Sequence, residues 1–284
     1  MTNAAVAISV RHVAKSFGET QVLTDVSFDI AQGEVFTLLG ENGAGKTTLI
    51  SILSTLTAPD SGQVSVGGFD VSREPDSVRE IISLNSQSTT LDEEFSGYDN
   101  LALIARLHGV RKPEADIERL SARLNLSDFL KRKVSTYSGG MRRRLDVAMS
   151  LIGNPSIIML DEPTTGVDPR NRLEIWDIIR EIRDSGITVL LTTQYLDEAD
   201  KLSDHIAFLH EGRIALYGTP EEVKATSRQD YNVRIGQNDV THARQALNDA
   251  SISVEDVEPV ESDLETVFFA VTEKEDKKKQ EVSQ

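Results

Sequence analysis

The feature that most constrains the fold is a glycine-rich run that directly follows a short apolar segment. Residues 35–39 are predominantly apolar, and residues 40–48 contain the spacing Gly-x4-Gly-Lys-Thr. An apolar segment that ends in glycine is typical of a strand buried on both faces of a parallel sheet. A strand, a glycine loop and a helix in this order hold phosphate groups at the helix N-terminus. The run therefore predicts an α/β fold with a phosphate-binding loop.

Each part of this loop has a chemical use toward a nucleoside triphosphate. The glycines allow backbone N–H groups to converge on the β-phosphate. Lys46 places a positive charge against the β- and γ-phosphate oxygens, and the Thr47 hydroxyl is a ligand for the Mg2+ that bridges them. The residues predicted to bind the nucleotide are Gly40, Glu41, Asn42, Gly43, Ala44, Gly45, Lys46, Thr47 and Thr48.

A second apolar run, residues 157–160, ends in two acids, Asp161 and Glu162. In a parallel strand both side chains reach the carboxyl edge of the sheet, beside the phosphate loop. Asp161 is then expected to hold Mg2+ through water, and Glu162 to act as general base for an attacking water. An alternative, in which both acids cap the start of a helix, stays open.

The rest of the chain predicts strands that alternate with helices. Residues 8–30 alternate like antiparallel strands, residues 99–132 have helical spacing, and residues 187–191 repeat the buried-strand pattern. We therefore predict an α/β sheet with a helical insertion between the two nucleotide motifs. The predicted division is a nucleotide-binding domain at 6–225 with a helical subdomain at about 88–135, a small α+β domain at 228–272 and a charged, disordered tail at 273–284.

Composition narrows the class of protein. The net charge of −16 disfavours a nucleic-acid surface and direct adhesion to anionic lipid, since both need clustered Lys and Arg. No stretch approaches the roughly 20 apolar residues of a membrane-spanning helix, and the N-terminus lacks the pattern of a secretory signal. The absence of cysteine fits a reducing cytosol. Residues 249–265 carry seven acids and no Lys or Arg, which suits either a contact surface or a solvated face.

A third motif lies between the loop and the acids. It is Ser138-Gly139-Gly140, which alone would also suit an ordinary helix N-terminus. Gln87 lies about 40 positions after Lys46, and residues 164–169 read Thr-Thr-Gly-Val-Asp-Pro. Together these motifs resemble those of the ATP-binding-cassette (ABC) ATPases over roughly residues 6–225. The resemblance implies a P-loop NTPase fold with a RecA-like core, an antiparallel β-subdomain and a helical subdomain.

The resemblance also implies that the nucleotide is ATP, and it gives roles to further residues. Gln87 would contact Mg2+ and the attacking water and relay the nucleotide state to a membrane partner. Ser138, Gly139 and Gly140 would bind the γ-phosphate of ATP held by a second copy of the chain. Asp168 would link the two sites. Phe17 would stack on adenine, which is worth about 1–3 kcal/mol, although a core aromatic at a strand end is an open alternative.

Two departures from the family pattern narrow the resemblance. Met141 stands where glutamine is usual, and Gln194 stands where a catalytic histidine usually contacts the γ-phosphate. An amide donates a hydrogen bond to a phosphate oxygen but is not protonated near neutral pH, so slower hydrolysis is one expectation, with Glu162 still the base. Both departures resemble the daunorubicin-resistance branch of ABC exporters, in which a separate ATPase chain pairs with a separate permease of the ABC-2 type. The same resemblance extends to residues 142–146, 192–200 and 263–268.

This branch implies a particular function. The chain would be the ATP-hydrolysing, energy-coupling subunit of a drug or antibiotic exporter, although similar ATPases serve polysaccharide, lipid and peptide exporters. It would bind two ATP as a head-to-tail homodimer, peripheral at the cytoplasmic face of the membrane through its permease. A soluble ABC ATPase acting on nucleic acid or ribosomes is a second class, but it commonly has two cassettes or a long coiled-coil insertion. A cassette that binds ATP without effective turnover is a third class, which Glu162 disfavours and Gln194 leaves open.

Overall fold

The computed structural model of the protein describes residues 5–86 and 91–226. The chain divides into two compact units, Met1–Tyr217 and Gly218–Gln284. The described part of the second unit ends at residue 226 and contains one short helix. Three predictions lie outside the described residues: Gln87, the small domain at 228–272 and the tail at 273–284. The predicted domain boundaries therefore stay predictions.

The described residues form ten strands, eight α-helices and one short 3-10 helix, Val134–Thr136. The strands are β1 (Val6–Phe17), β2 (Thr20–Ala31), β3 (Val35–Leu39), β4 (Ser61–Val66), β5 (Phe69–Asp70), β6 (Ile82–Asn85), β7 (Ile157–Asp161), β8 (Thr188–Thr193), β9 (His205–His210) and β10 (Arg213–Gly218). The helices are α1 (Lys46–Leu53), α2 (Pro75–Ile81), α3 (Gly97–Leu107), α4 (Glu114–Arg123), α5 (Gly139–Ser150), α6 (Pro169–Asp184), α7 (Leu196–Leu202) and α8 (Pro220–Ala225).

The strands form one sheet in the order β5-β4-β1-β2-β10-β9-β3-β8-β7-β6. The strands β1, β2, β4 and β5 pair antiparallel. β3 pairs parallel with its two neighbours, β8 and β9, and β7 pairs parallel with β8 and β6. The predicted antiparallel strands at 8–30 and the predicted parallel strands are therefore confirmed. The helical insertion holds α3 and α4, while β8 extends two residues further than the predicted 187–191.

Two apolar clusters lie on the two faces of this sheet. Val35 belongs to the cluster that includes Leu145 of α5 and Ile179 of α6, whereas Phe36 belongs to the cluster that includes Leu49 of α1. Side chains alternate between the faces of a strand, so β3 contributes to both clusters and is buried at every residue. Fully burying one such side chain contributes about 1.5–3 kcal/mol. This packing fixes β3 in the centre of the sheet.

The parallel register brings three strand ends to one edge. Leu39, the last residue of β3, pairs with Thr193 of β8. Asp161, the last residue of β7, pairs with Thr192 of β8. The glycine loop and the acidic pair therefore leave the sheet at the same edge, as the sequence predicts.

Candidate nucleotide-binding and hydrolysis site

The glycine-rich run forms the loop between β3 and α1. Gly45 precedes α1 with a left-handed φ of 108°, and a β-carbon there would lie 2.7 Å from the Cδ2 atom of Leu23. A β-carbon on Gly40 would lie 2.5 Å from the carbonyl oxygen of Leu209. Glycine is therefore required at both ends of the loop. Because Gly45 has no side chain to cap α1, the helix N-terminus offers its first N–H groups to an anion.

Lys46 crosses this loop. Its Nζ atom donates to the carbonyl oxygens of Gly40 (2.8 Å) and Glu41 (3.0 Å). It also lies 3.4 Å from Oε1 of Glu162, and both of these charged side chains are buried. The ammonium group is thus held between the loop and the acid that follows β7. This position suits a cation that contacts phosphate oxygens in front of a catalytic carboxylate.

Thr47 and Asp161, the two described candidates for Mg2+ ligands, are in direct contact. The Thr47 hydroxyl donates to Oδ2 of Asp161 at 3.1 Å, and the Thr192 hydroxyl donates to Oδ1 at 2.5 Å. Hydroxyl and carboxylate oxygens are the hard donors that Mg2+ prefers, shared with substrate phosphates and water. The part of the chain that the structure describes has no cluster of three or more His, Cys, Asp or Glu side chains fit for a metal. The donor set therefore fits a magnesium ion that shares its shell with a nucleotide.

Glu162 sits in a strained turn directly after β7. Its φ is 51°, in the left-handed region that bulky residues rarely adopt. Its N–H group donates to the carbonyl oxygen (3.1 Å) and to Oγ1 (3.0 Å) of Thr192. The Thr165 hydroxyl donates to Oε2 of Glu162 at 3.1 Å. The alternative in which Asp161 and Glu162 cap a helix is wrong, because the next helix begins only at Pro169.

A cavity of about 440 Å³ lies between the loop and this turn. Its lining joins the predicted loop residues to the predicted base. The lining residues are Val22, Asn42, Gly43, Gly45, Lys46, Thr47, Thr48 and Glu162. The structure thus brings together six of the nine loop residues predicted to bind a nucleotide and the residue predicted to act as general base.

The Ser138-Gly139-Gly140 run forms the N-terminus of α5. Ser138 caps the helix, and its Oγ accepts from the N–H group of Met141 at 3.3 Å. Ser138 and Gly139 are exposed, and a β-carbon on Gly139 would meet nothing within 4 Å. A β-carbon on Gly140, by contrast, would overlap the side-chain amide of Asn171. The structure therefore contains the helix N-cap that the sequence also allowed. Ser138, Gly139 and Gly140 lie outside the lining of the cavity described above.

Asp168 caps α6. Its Oδ1 accepts from the N–H groups of Arg170 (3.2 Å) and Asn171 (3.1 Å), and its Oδ2 accepts from the Asn171 amide at 2.5 Å. Hydrogen bonds from the Asn171 side chain and backbone lower the pKa of Asp168. Asn171 therefore joins Asp168 to Gly140. The sequence reasoning missed Asn171, because no motif spacing marks it.

The remaining predicted residues are Phe17 and Gln194. Phe17 ends β1 and is 54% exposed, which excludes the alternative of a core aromatic. The Lys15 Nζ atom lies 5.4 Å from the centre of the Phe17 ring. Gln194 directly follows β8, and the carbonyl oxygen of the preceding Thr193 accepts from the N–H group of Gly40 at 3.2 Å. Gln194 thus stands beside the start of the phosphate loop.

A phosphate loop on a central parallel strand, a Thr47–Asp161 hydrogen bond and a buried Lys46–Glu162 pair define the class of P-loop nucleoside triphosphatases. Comparisons with known proteins narrow that class. The family model described as ABC transporter matches residues 23–165. The daunorubicin resistance ATP-binding protein DrrA3 of Streptomyces coeruleorubidus is 49% identical over 79% of this chain and 72% of its own length.

Two further relatives agree with this match. The doxorubicin resistance ATP-binding protein DrrA of Mycobacterium tuberculosis is 47% identical over 79% of this chain and 69% of its own. A solved ATP-binding cassette of an ABC transporter in its ADP conformation superposes with a TM-score of 0.71 at 28% identity, over 77% of this chain and 93% of that chain. The chain belongs to the ABC transporter family as an ATP-binding subunit that hydrolyses ATP. Within residues 5–86 and 91–226, no helix has the length and apolar character to span a bilayer.

Proposed function

We propose that the protein is the energy-coupling ATPase subunit of a drug or antibiotic exporter and that it hydrolyses MgATP between two copies of itself. The observation that carries the hydrolytic role is the contact of Lys46 with Glu162 at 3.4 Å beside that of Thr47 with Asp161 at 3.1 Å. The export role follows from the relatives, whose names record resistance to daunorubicin and doxorubicin.

Four side chains of the site have separate tasks in this reaction. Lys46 binds the β- and γ-phosphate oxygens, and Thr47 and Asp161 would hold Mg2+, which neutralises charge on the same oxygens. Glu162 accepts a proton from water while the water oxygen bonds to the γ-phosphorus and the bond to the bridging oxygen of ADP breaks. Gln194 would donate a hydrogen bond to the γ-phosphate, and Gln87 would orient the water and help to hold Mg2+.

A second copy of the chain would complete each site. Ser138 and Gly139 are exposed at the N-terminus of α5 and do not line the cavity of their own phosphate loop. A helix N-terminus with small residues suits the γ-phosphate of a nucleotide held by another subunit. Two such contacts related by a two-fold axis give a closed head-to-tail dimer. Asp168 would link the two sites, and Phe17 would stack on adenine.

The permease would dock on the helical subdomain. Leu103 and Leu107 lie one turn apart on α3 and are 42% and 74% exposed, and Phe95 just before the helix is 42% exposed. Three exposed apolar side chains in one segment support a protein contact there. A separate ABC-2-type permease bound at this surface would hold the subunit at the cytoplasmic face of the membrane.

Replacing Glu162 by Gln tests the hydrolytic role. Glu162→Gln should lower steady-state ATP turnover by at least about 100-fold, since a general base contributes roughly 10²–10⁴-fold. Its affinity for ATP should stay within about threefold of wild type. Asp177→Asn, an equal change at an exposed acid of α6, is the control and should leave turnover unchanged. Turnover of Glu162→Gln at the wild-type rate would exclude Glu162 as the base.

The exporter role is tested with the membrane partner. Affinity purification from membranes should recover a permease, and anthracycline drugs should stimulate the ATPase activity of the reconstituted complex. Leu103→Glu/Leu107→Glu should abolish this stimulation and leave the basal ATPase activity of the lone subunit intact. Stimulation by lipid or polysaccharide precursors, and not by drugs, would overturn the assignment of cargo.

A further inference from the structure

One buried ion pair has no part in the roles above. Arg143 and Asp146 lie one turn apart on α5, with Nη1 of Arg143 2.9 Å from Oδ2 of Asp146. Their side chains are only 7% and 4% exposed. Burial lowers the pKa of Arg143 and raises the pKa of Asp146. A buried pair of this kind is weak evidence for stability, because apolar residues of similar volume often stabilise a protein as well or better.

Arg143 reaches beyond its own helix. Its Nε atom donates to the carbonyl oxygen of Pro163 at 2.5 Å. Pro163 directly follows Glu162, whose left-handed φ of 51° persists only where the surroundings hold the backbone in place. The neighbours of Arg143 on α5 pair elsewhere, Arg142 with Glu93 and Arg144 with Glu174.

Hydrogen bonds from neighbouring elements fix the turn around Glu162. Thr192 of β8 binds the N–H group of Glu162. The buried Glu198 of α7 accepts from the Thr164 hydroxyl at 2.8 Å and from Nε1 of Trp176 at 2.9 Å. The hydrogen bond from Arg143 to Pro163 lies between these contacts, because Pro163 separates Glu162 from Thr164 in the chain.

We propose that Arg143 is a positioning residue for Glu162. Its hydrogen bond to Pro163 holds the left-handed turn that keeps the Glu162 carboxylate beside Lys46, and Asp146 orients the guanidinium for that bond. The proposal rests on the proposed role of Glu162 as base. The hydrogen bond from Arg143 to Pro163 acts only within its own subunit. We therefore expect that nucleotide binding and closure of the dimer do not depend on this bond.

The decisive variant removes both charges together. Arg143→Met/Asp146→Leu leaves neither member of the pair buried without the other. Asn85 loses its hydrogen bond to Asp146 but keeps the one to Oγ of Ser150 (3.3 Å). We expect kcat to fall about 10- to 100-fold, as for a small misplacement of a catalytic group, with KM for ATP within about threefold. The matched control is Asp177→Leu/Arg180→Met, an exposed pair with the same spacing on α6, which should keep the wild-type kcat.

Two readouts separate positioning from a general disturbance of α5. The double variant should still form dimers when MgATP is added, as Glu162→Gln is expected to do. Loss of both ATP-dependent dimers and turnover would mean that the Ser138-Gly139-Gly140 end of α5 is disturbed, and wild-type kcat would mean that the bond to Pro163 is dispensable. Either result overturns the proposal.

Arg143→Lys is the second variant, in case the double variant does not fold. One ammonium group can reach Asp146 or the Pro163 carbonyl with less geometric control than the planar guanidinium. We expect a kcat between those of wild type and the double variant, again with ATP-dependent dimers. A kcat equal to wild type would overturn the proposal. The turnover of Glu162→Gln is a separate test. Full turnover in that variant would exclude Glu162 as the general base. Wild-type kcat in the Arg143 variants alone would exclude only the positioning role of Arg143.

Discussion

The glycine-bearing N-termini of α1 and α5 are built in opposite ways. The N-terminus of α1 is enclosed by its own chain, with Lys46 and Glu162 buried and in contact. The N-terminus of α5 is capped by its own Ser138 but leaves Ser138 and Gly139 exposed. In the proposed function, the first is the half-site that would hold the nucleotide and Mg2+. In the same proposal, the second would be the half-site that contacts the nucleotide of another subunit.

The largest expected effect comes from breaking the enclosed half-site. Lys46→Met should lower the affinity for MgATP by at least about 100-fold and abolish turnover, since each charge-assisted hydrogen bond is worth about 1.5–3 kcal/mol. Nucleotide titration followed by fluorescence measures the affinity. Lys201→Met, at an exposed position of α7, is the control. Unchanged affinity in Lys46→Met would show that the phosphates bind elsewhere.

A change in the exposed half-site should separate binding from turnover. Gly139→Asp places a carboxylate where the γ-phosphate of a second subunit is expected, and a β-carbon there meets no atom of its own chain within 4 Å. Turnover should fall at least about 100-fold by charge repulsion in a closed site, with monomer affinity for ATP within about threefold. Gly139→Asn, of equal size but neutral, should lose less. Equal loss in both would attribute the effect to bulk.

The smallest expected effect concerns the hydrogen bonds behind the enclosed half-site. Thr192→Val removes the hydroxyl that binds Asp161 and the Glu162 N–H group, while the backbone bond to Glu162 remains. We expect kcat to fall about tenfold and the free energy of unfolding to fall by about 1–3 kcal/mol. Thr188→Val, which removes a similar bond to Gly33 at the far end of β8, should cost similar stability and leave kcat unchanged.

The same two regions show what the sequence can and cannot predict. The phosphate loop and the acidic pair are contiguous motifs at the ends of apolar strands, so their meeting at one edge follows from parallel pairing. The contacts of Thr192 with Asp161, and of Arg143 with Pro163, join residues 20 to 31 positions apart. No local pattern encodes such contacts, because they depend on side-chain packing between elements.

The role of the α5 N-terminus is harder to predict for a different reason. Ser138 is predicted as a cap or as a phosphate ligand, and the structure of one chain contains the cap. Its second role depends on a molecule outside the chain, so it stays a prediction, as do the roles of Phe17, Gln194 and Asp168. Gln87 lies outside the described residues.

The central claim is that one chain holds each ATP and a second chain closes over it. The most direct measurement is the molar mass of Glu162→Gln by light scattering with and without MgATP. We predict a monomer without nucleotide, a dimer with MgATP, and a monomer in both conditions once Gly139→Asp is added. A Glu162→Gln protein that binds ATP but stays monomeric, or a dimer that survives Gly139→Asp, would contradict it.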